Sequence, residues 1–555
     1  MPKLKTKQIA ETTLTKVVTT ISPIHRDEST LEDLILAGTS IIRVNLSHFK
    51  THCDAADEEQ AQEWAGHKQT WLEILQNLVR VRRRLGVAVA IMVDTCGPEF
   101  RVRLGSPEPI PVAQGERVDL RVVNYVGRAV SGTSEEGVRV VDVLGPEDFK
   151  GFGERSQEDS LVRIADGELT LKILEIQGGL VRTEAVNESQ LEDGKSANFP
   201  GIAIHAAAVS KRDRLDLEYF VQLPDPDDAE KKIPIDFVAQ SFVKSRVDVE
   251  DLKDYLKRLC PNENIGVVAK IETSEATRDT QTTESIIAAA DSVMIARGDL
   301  ANQSERYKVP QIQRNIIRLS HDARKPVIVA TGVYRGLVKS SEPSRAEVEN
   351  VRSALEWGVD AFMLSDETAP RKDASVVIRK IFEQIEYDEE KLTSPDHFKQ
   401  RREEIREVFE TNYRQFMHDK GRTTHPRLEQ EFRRRDMAMA AADRVTNRRA
   451  GGVFMQSLTG QTTREMAHFL PHAPLYMIIQ DPSVGRRHLL YRAVRPVVVD
   501  YEPGEERDLD MKSLIWQITE ELEVCNGSED FILATYGHPV TNTLFAVGGW
   551  ERDTF

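Results

Sequence analysis

Eight short apolar runs, each ending in polar or charged residues, constrain this chain more than any other feature. They span residues 17–21 (ending at Ser22), 40–44 (Asn45, Ser47), 87–93 (Asp94, Thr95), 236–239 (Ser241), 265–271 (Lys270, Glu272), 292–296 (Arg297, Gly298, Asp299), 327–330 (Thr331) and 361–364 (Ser365). Short continuous runs rich in Val and Ile read as parallel strands buried on both faces. Helical patterns over 60–84, 248–259, 273–290, 310–323 and 344–357 separate most of them, with Thr273 and Ser344 placed as N-caps. Eight β–α units in series describe a closed parallel barrel, whose reactive groups gather at the carboxyl ends of the strands. Polar residues also mark where any strand stops, but that does not account for ends carrying Lys, Arg, two Asp and a Glu. If runs five and six are parallel neighbours, Lys270 stands between the carboxylates of Glu272 and Asp299 at one rim. That is a site for a divalent metal and an anionic substrate.

The series is interrupted once. Between 101 and 200 the pattern changes to short alternating runs (117–123, 160–164, 169–176, 179–185) punctuated by Gly, Pro and Asn. This reads as a small all-β unit inserted after the third strand, placed to close over the rim as a lid. Beyond the eighth strand, 391–435 is highly charged and reads as a helical connector. A second α/β unit follows, with a helix over 437–449 and strands over 452–456, 475–479, 496–499 and 531–535, as in a doubly wound sheet. The expected domains are a barrel from 1–101 and 201–390, a β-barrel lid from 102–200, the connector, and an α/β unit from 436–555.

A chain of 555 residues exceeds one core. Its net charge of −16 disfavours nucleic-acid binding, which relies on phosphate neutralisation. The basic runs at 82–84 and 433–435 read as solvated faces or oligomer contacts. Cys53, Cys96, Cys260 and Cys525 lie far apart, against both a disulfide framework and a zinc knuckle. No apolar run is long enough to span a bilayer, and the first residues lack the apolar core of a secretory signal. A cytoplasmic protein with no nucleic-acid or membrane partner is expected.

Taken in order, TKVVTTISP from Thr15, RVNLSH from Arg43, VDTCGPEFR from Val93, KSANFPG from Lys195, AKIE from Ala269, ARGDL from Ala296, KPV from Lys325, PSRAE from Pro343 and FMLSDETA from Phe362 resemble the pyruvate kinase family. QSLTGQTTR from Gln456 and HLLYRAVRPVVV from His488 resemble its effector-domain pattern, so the likeness covers nearly the whole chain. The resemblance implies a (β/α)8 TIM barrel with an inserted all-β lid and a C-terminal α/β domain. It implies phosphoryl transfer from phosphoenolpyruvate to ADP, giving pyruvate and ATP, with Mg2+ (or Mn2+) and K+. Glu272 and Asp299 are the implied metal ligands, hard oxygens suited to such ions. Lys270 would stabilise charge on the transferring phosphoryl and the enolate, the alternative being a salt bridge to Glu272 or a neighbouring Asp. Arg43 would contact the phosphate, the alternative being a surface ion pair, and Thr331 would relay a proton to the enolate carbon. Gly298, Asp299 and Ser241 complete the implied substrate site.

Asn45, Ser47, Asp94 and Thr95 match the family's K+ positions, and Glu99 matches the residue of K+-dependent members. Asn45, His48, Arg101 and Lys195 fall where nucleotide phosphates are held. Ser457, Thr459, Gly460 and Thr462 lie on a loop before a helix, either a sugar-phosphate effector pocket or an ordinary strand–helix turn. The family analogy also implies a homo-oligomer, a tetramer.

The chain departs from the pattern at Ala301 and Gln303 (Gly and Glu in the family), Gly332 (Gln), Cys96 (Lys), Asp366 (a small residue), Ser22 (Gly) and Thr273 (Asn). Segments 224–233 and 394–435 are insertions. Three readings follow: a working, divergent pyruvate kinase; an enzyme on this scaffold acting on a different enol-phosphate or 2-oxo acid; and a non-catalytic paralogue with a regulatory or binding role. Retention of Lys270, Glu272, Asp299 and Arg43 weighs against the third, while Ala301, Gln303 and Gly332 keep the second open.

Overall fold

The computed structural model describes residues 3–7, 13–49, 58–392 apart from short gaps within 105–205, scattered positions in 403–442, 450–500 apart from 458, 470 and 471, and then 511–522, 531–538 and 541–547. Strands Lys16–Ile21, Ile41–Asn45, Ala90–Asp94, Phe237–Gln240, Gly266–Ile271, Ser292–Ala296, Val327–Ala330 and Ala361–Leu364 close a parallel barrel in that order. Nearly every strand residue is buried, because one face looks into the barrel and the other meets the surrounding helices. This is why the runs are continuous rather than alternating. Val18, Ile41, Ala90, Met92, Ala239, Val268, Met294 and Ile328 share the inner cluster. Side chains alternate faces along a strand, so two residues further on Thr20, Arg43, Asp94, Ser241 and Lys270 form the next inward layer, at the carboxyl ends.

The inner cluster also contains Leu489 and Leu490, which come from the C-terminal unit. Arg492 N–H donates to Asp360 Oδ1 (2.9 Å) and Lys16 Nζ to the Val494 carbonyl (2.7 Å), pinning that unit to the amino-terminal end of the barrel. Its sheet runs Lys3–Leu4, Val494–Asp500, Leu475–Ile479, Ala450–Gln456, Phe531–His538, Thr541–Val547; the four central strands are parallel and both edges antiparallel. Lys3–Leu4 thus joins the C-terminal sheet, although the first residues were expected to belong with the barrel. The insert, from Arg101–Arg103 to Ala197–Asn198, is a β-rich unit with its own core and a cluster of Phe100, Phe149, Phe152 and Phe199. Most of the expected connector and of the expected 437–449 helix, together with Cys53 and Cys525, lie outside the described residues. Among the described residues, no helix is long and apolar enough to cross a membrane.

Two expectations need correction. The helix expected from Thr273 begins at Thr280, capped by Asp279, whose side chain accepts from Thr282 N–H. The Thr273 hydroxyl donates instead to the Val243 carbonyl (2.8 Å) and accepts from Ala276 N–H, so it closes a turn. The basic run at 82–84 is a solvated face only in part: Arg82 is buried and donates to the Val89 carbonyl, whereas Arg83 and Arg84 are exposed, Arg83 pairing with Asp225 and Asp227 of the 224–233 insertion and Arg84 with Glu28 and Glu32. Ser344 does cap the helix Arg345–Glu356, in a reciprocal box with Glu347.

Candidate active site

The inward layer at the carboxyl rim is an electrostatic chain. Asp94, fully buried, accepts from Arg43 Nε at 2.7 Å, and Arg43 Nη1 also donates to Thr20 Oγ1 at 2.9 Å. Lys270 Nζ lies 3.3 Å from Asp94 Oδ1 and 3.4 Å from Glu272 Oε2, and donates to Ser241 Oγ at 2.7 Å. Ser241 is tied to the third strand by its N–H to Thr95 Oγ1 (3.1 Å) and its hydroxyl to the Thr95 carbonyl (2.6 Å). Burial pulls the Lys270 ammonium down, but the Asp94 and Glu272 carboxylates outweigh it and hold the group above its ordinary range. Burial raises Asp94, yet the Lys270 and Arg43 cations leave it below the usual carboxylate range. The alternative of a salt bridge for Lys270 is therefore realised in the geometry, with both carboxylates at once.

Glu272 differs from Asp94. One oxygen accepts from Phe242 N–H (2.7 Å), while Oε2 is buried without a hydrogen-bond partner. Burial, then the charges of Asp299 and Asp94 against the opposing Lys270, push its carboxyl up to about 8. The Asp299 charge acts on both Lys270 and Glu272, which places its carboxylate at the same rim. The Glu272 oxygen that makes no hydrogen bond, paired by charge alone with Lys270, fits a hard cation such as Mg2+ together with Asp299. Among the described residues, no group of three or more His, Cys, Asp or Glu side chains is arranged to hold a metal, so a divalent ion here would draw its remaining ligands from substrate and water.

Gly298 and Asp299 open the helix Arg297–Gln303. The Arg297 guanidinium donates to the carbonyls of Ala330 and Thr331 and to Asn350 Oδ1, clamping the end of the seventh strand. Thr331 there has φ +68°, a left-handed conformation rare for a β-branched residue. A Cβ on Gly298 would stand 2.9 Å from Thr331 Cγ2, so only glycine lets the helix start this close.

The family described as pyruvate kinase, barrel domain, matches residues 12–373, and that described as pyruvate kinase, alpha/beta domain, matches 435–545. The chain belongs to the pyruvate kinase family. It is 27% identical over 531 residues to a pyruvate kinase of Staphylococcus saprophyticus (95% of this chain, 78% of the relative). It is 27% identical over 500 residues to one of Corynebacterium efficiens (89% and 90%). A crystal structure of a pyruvate kinase from Cryptosporidium parvum superposes with a TM-score of 0.72 at 24% identity, covering 96% of each chain.

The remaining positions matched to pyruvate kinase motifs divide into three groups. Asn45 lies beside Asp94 in register; its Oδ1 accepts from Ser47 N–H, and the Ser47 hydroxyl donates to Glu99, which pairs with Arg101. His48 belongs to the same cluster: burial, then the Arg101 and Arg43 cations, lower its pKa. Lys195 is not drawn in, because it pairs with Glu192 in its own turn (3.2 Å). Ser457, Thr459, Gly460 and Thr462 lie in the C-terminal unit, where Gly460 N–H donates to Ser457 Oγ. Gly460 has φ +77° and packs so tightly on the His488 ring that any Cβ would collide with it. Sequence reasoning missed Thr20, Arg297 as a clamp, and Phe242 N–H. Thr20 alone had a signal, since it shares the inward parity of Val18.

Proposed function

We propose that this protein is a pyruvate kinase, transferring the phosphoryl group of phosphoenolpyruvate to ADP. The observation that carries the reading is Lys270, buried between Asp94 and Glu272 with Arg43 held at the flank by Asp94. Phosphoryl transfer needs charge neutralisation and alignment more than covalent chemistry, and this layer supplies two fixed cations in a water-poor mouth. Arg43 would bind the phosphoryl oxygens. Lys270 would follow the charge from the transferring group to the enolate oxygen, at no cost in reorganisation because its partners already fix it. Backbone N–H groups at Gly298 and Asp299 would orient the substrate carboxylate, and the Thr331 hydroxyl would pass a proton to the enolate carbon through water.

Glu272 and Asp299 would hold Mg2+ or Mn2+, which supplies Lewis acidity toward the enolate when bound. The oxygens of Asn45, Ser47, Asp94 and Thr95 would take K+. His48 and Arg101 would meet nucleotide phosphates, with Lys195 reaching them after leaving Glu192. A sugar phosphate at Ser457, Thr459, Gly460 and Thr462, and a tetrameric assembly, rest on family analogy.

The test is ATP formation from phosphoenolpyruvate and ADP with Mg2+, with and without K+. Purified protein that turns nothing over at high concentration refutes the reading. A Lys270→Met variant with an unchanged rate refutes the mechanism, and indifference to K+ removes the Asn45/Asp94 site. Ala301, Gln303 and Gly332 keep a second reading, action on a different enol-phosphate or 2-oxo acid; turnover of such compounds without kinase activity would favour it.

A further inference from the structure

Where the insert rests on the barrel, strands Leu161–Ile164 and Ala197–Asn198 meet the helix Arg297–Gln303. Arg163 and Asn198 are directly opposite each other in an antiparallel pair, so both side chains leave the same face of the insert. Arg163 Nη1 donates to the carbonyls of Ala301 (2.8 Å), Asn302 (2.7 Å) and Ser304 (3.0 Å). Asn198 Oδ1 accepts from Gln303 Nε2 at 3.4 Å. These carbonyls are released where the helix ends, and a cation is favoured at that pole. Gly167 lies at the same contact, and its left-handed backbone favours glycine there. Gly167 has φ +83°, and a Cβ on it would stand 3.1 Å from Arg306 Nη2 and 3.6 Å from Asn302 Oδ1.

A seven-residue helix is too short to hold itself in place. Its first turn is fixed by Arg297 on the seventh strand and by Gly298 against Thr331; its last turn is fixed from the insert. We propose that Arg163 is a positioning residue. By capping the last turn it ties the placement of Gly298 and Asp299 to the docking of the insert. The inference rests on the reading of Asp299 as a metal ligand and of Gly298 as part of the substrate site. It also gives a role to one departure from the family pattern, since the Gln303 amide is in the contact.

The full-length protein is compared with Arg163→Ala, Arg163→Lys and, as a control, Arg182→Ala, whose exposed partner Glu175 lies on the same insert. Hydrogen exchange of amides 299–305 should quicken about tenfold or more in Arg163→Ala, with the barrel strands unchanged. The KM for phosphoenolpyruvate and the half-saturating Mg2+ concentration should rise about tenfold, with kcat falling less than about threefold. Arg163→Lys, which keeps a cation but loses the planar fork, should recover most of the protection, and Arg182→Ala should change nothing. Unchanged exchange at 299–305 in Arg163→Ala overturns the latch whatever the activity. Faster exchange with unchanged KM and Mg2+ dependence overturns the positioning role. If the wild type turns nothing over, the kinase reading fails separately. Mn2+ binding followed by electron paramagnetic resonance then decides: about tenfold weaker binding in Arg163→Ala supports positioning, and equal affinity overturns it.

Discussion

Removing the carboxylate of Asp94 tests the electrostatics of the rim most directly. Asp94 is fully buried and serves two cations, Arg43 at 2.7 Å and Lys270 at 3.3 Å. Asp94→Asn preserves the shape but leaves those cations facing each other across a neutral amide. Lys270 keeps Glu272 at 3.4 Å, whereas Arg43 keeps Thr20 Oγ1, so the penalty falls mainly on Arg43. Breaking a buried pair by removing one partner costs about 3–5 kcal/mol. Adding Arg43→Met removes the orphaned charge, so the double variant should be at least about 1.5 kcal/mol more stable than the sum of the single effects. Native-state hydrogen exchange of the barrel strands is the appropriate assay, because a chain with several separate cores does not unfold in one step. Single effects that add to within about 0.5 kcal/mol would refute the coupling.

Three further outcomes are expected. Burial pulls the His488 imidazole down to about 4. The unfolded chain therefore binds more protons between pH 4 and 6.5; the stability due to the neutral ring is complete above about 6.5 and is lost as pH falls towards 4, at most about 3 kcal/mol. Urea midpoints of the wild type and His488→Gln should converge on acidification, and parallel curves would contradict this. Gly298→Ala, forced against a Thr331 already held by Arg297, should slow phosphoenolpyruvate turnover by about tenfold or more with an unchanged circular dichroism spectrum. Leu490→Ala should cost about 2–5 kcal/mol, read as lost exchange protection at Val18 and Ile41, its partners in the inner barrel cluster.

The barrel and its charged rim were legible because both are written in local pattern. A strand buried on two faces must be apolar throughout, and alternation then places Arg43, Asp94 and Lys270 in one inward layer above Val18, Ile41 and Met92. The start of the helix that begins at Thr280 was misread because Thr273 has the chemistry of an N-cap, and only the neighbouring loop at Val243 shows that its hydroxyl is already taken. The ion pairs of the basic run at 82–84 were hidden for a similar reason: its partners Asp225, Asp227, Glu28 and Glu32 are distant in the chain.

By itself, then, the sequence determined the eight β–α units, the inserted β-rich unit, the second α/β unit and the identity of the rim charges. Tertiary structure alone decided the pairing of Lys270 with two carboxylates, the entry of Leu489 and Leu490 into the barrel core, and the return of Lys3–Leu4 to the last sheet. It also decided the grip of Arg163 on the 297–303 helix across 138 positions of chain. The physical reason is the nature of the partner. Arg163 binds backbone carbonyls, which every residue carries, so nothing in either segment's composition marks the contact before the chain has folded.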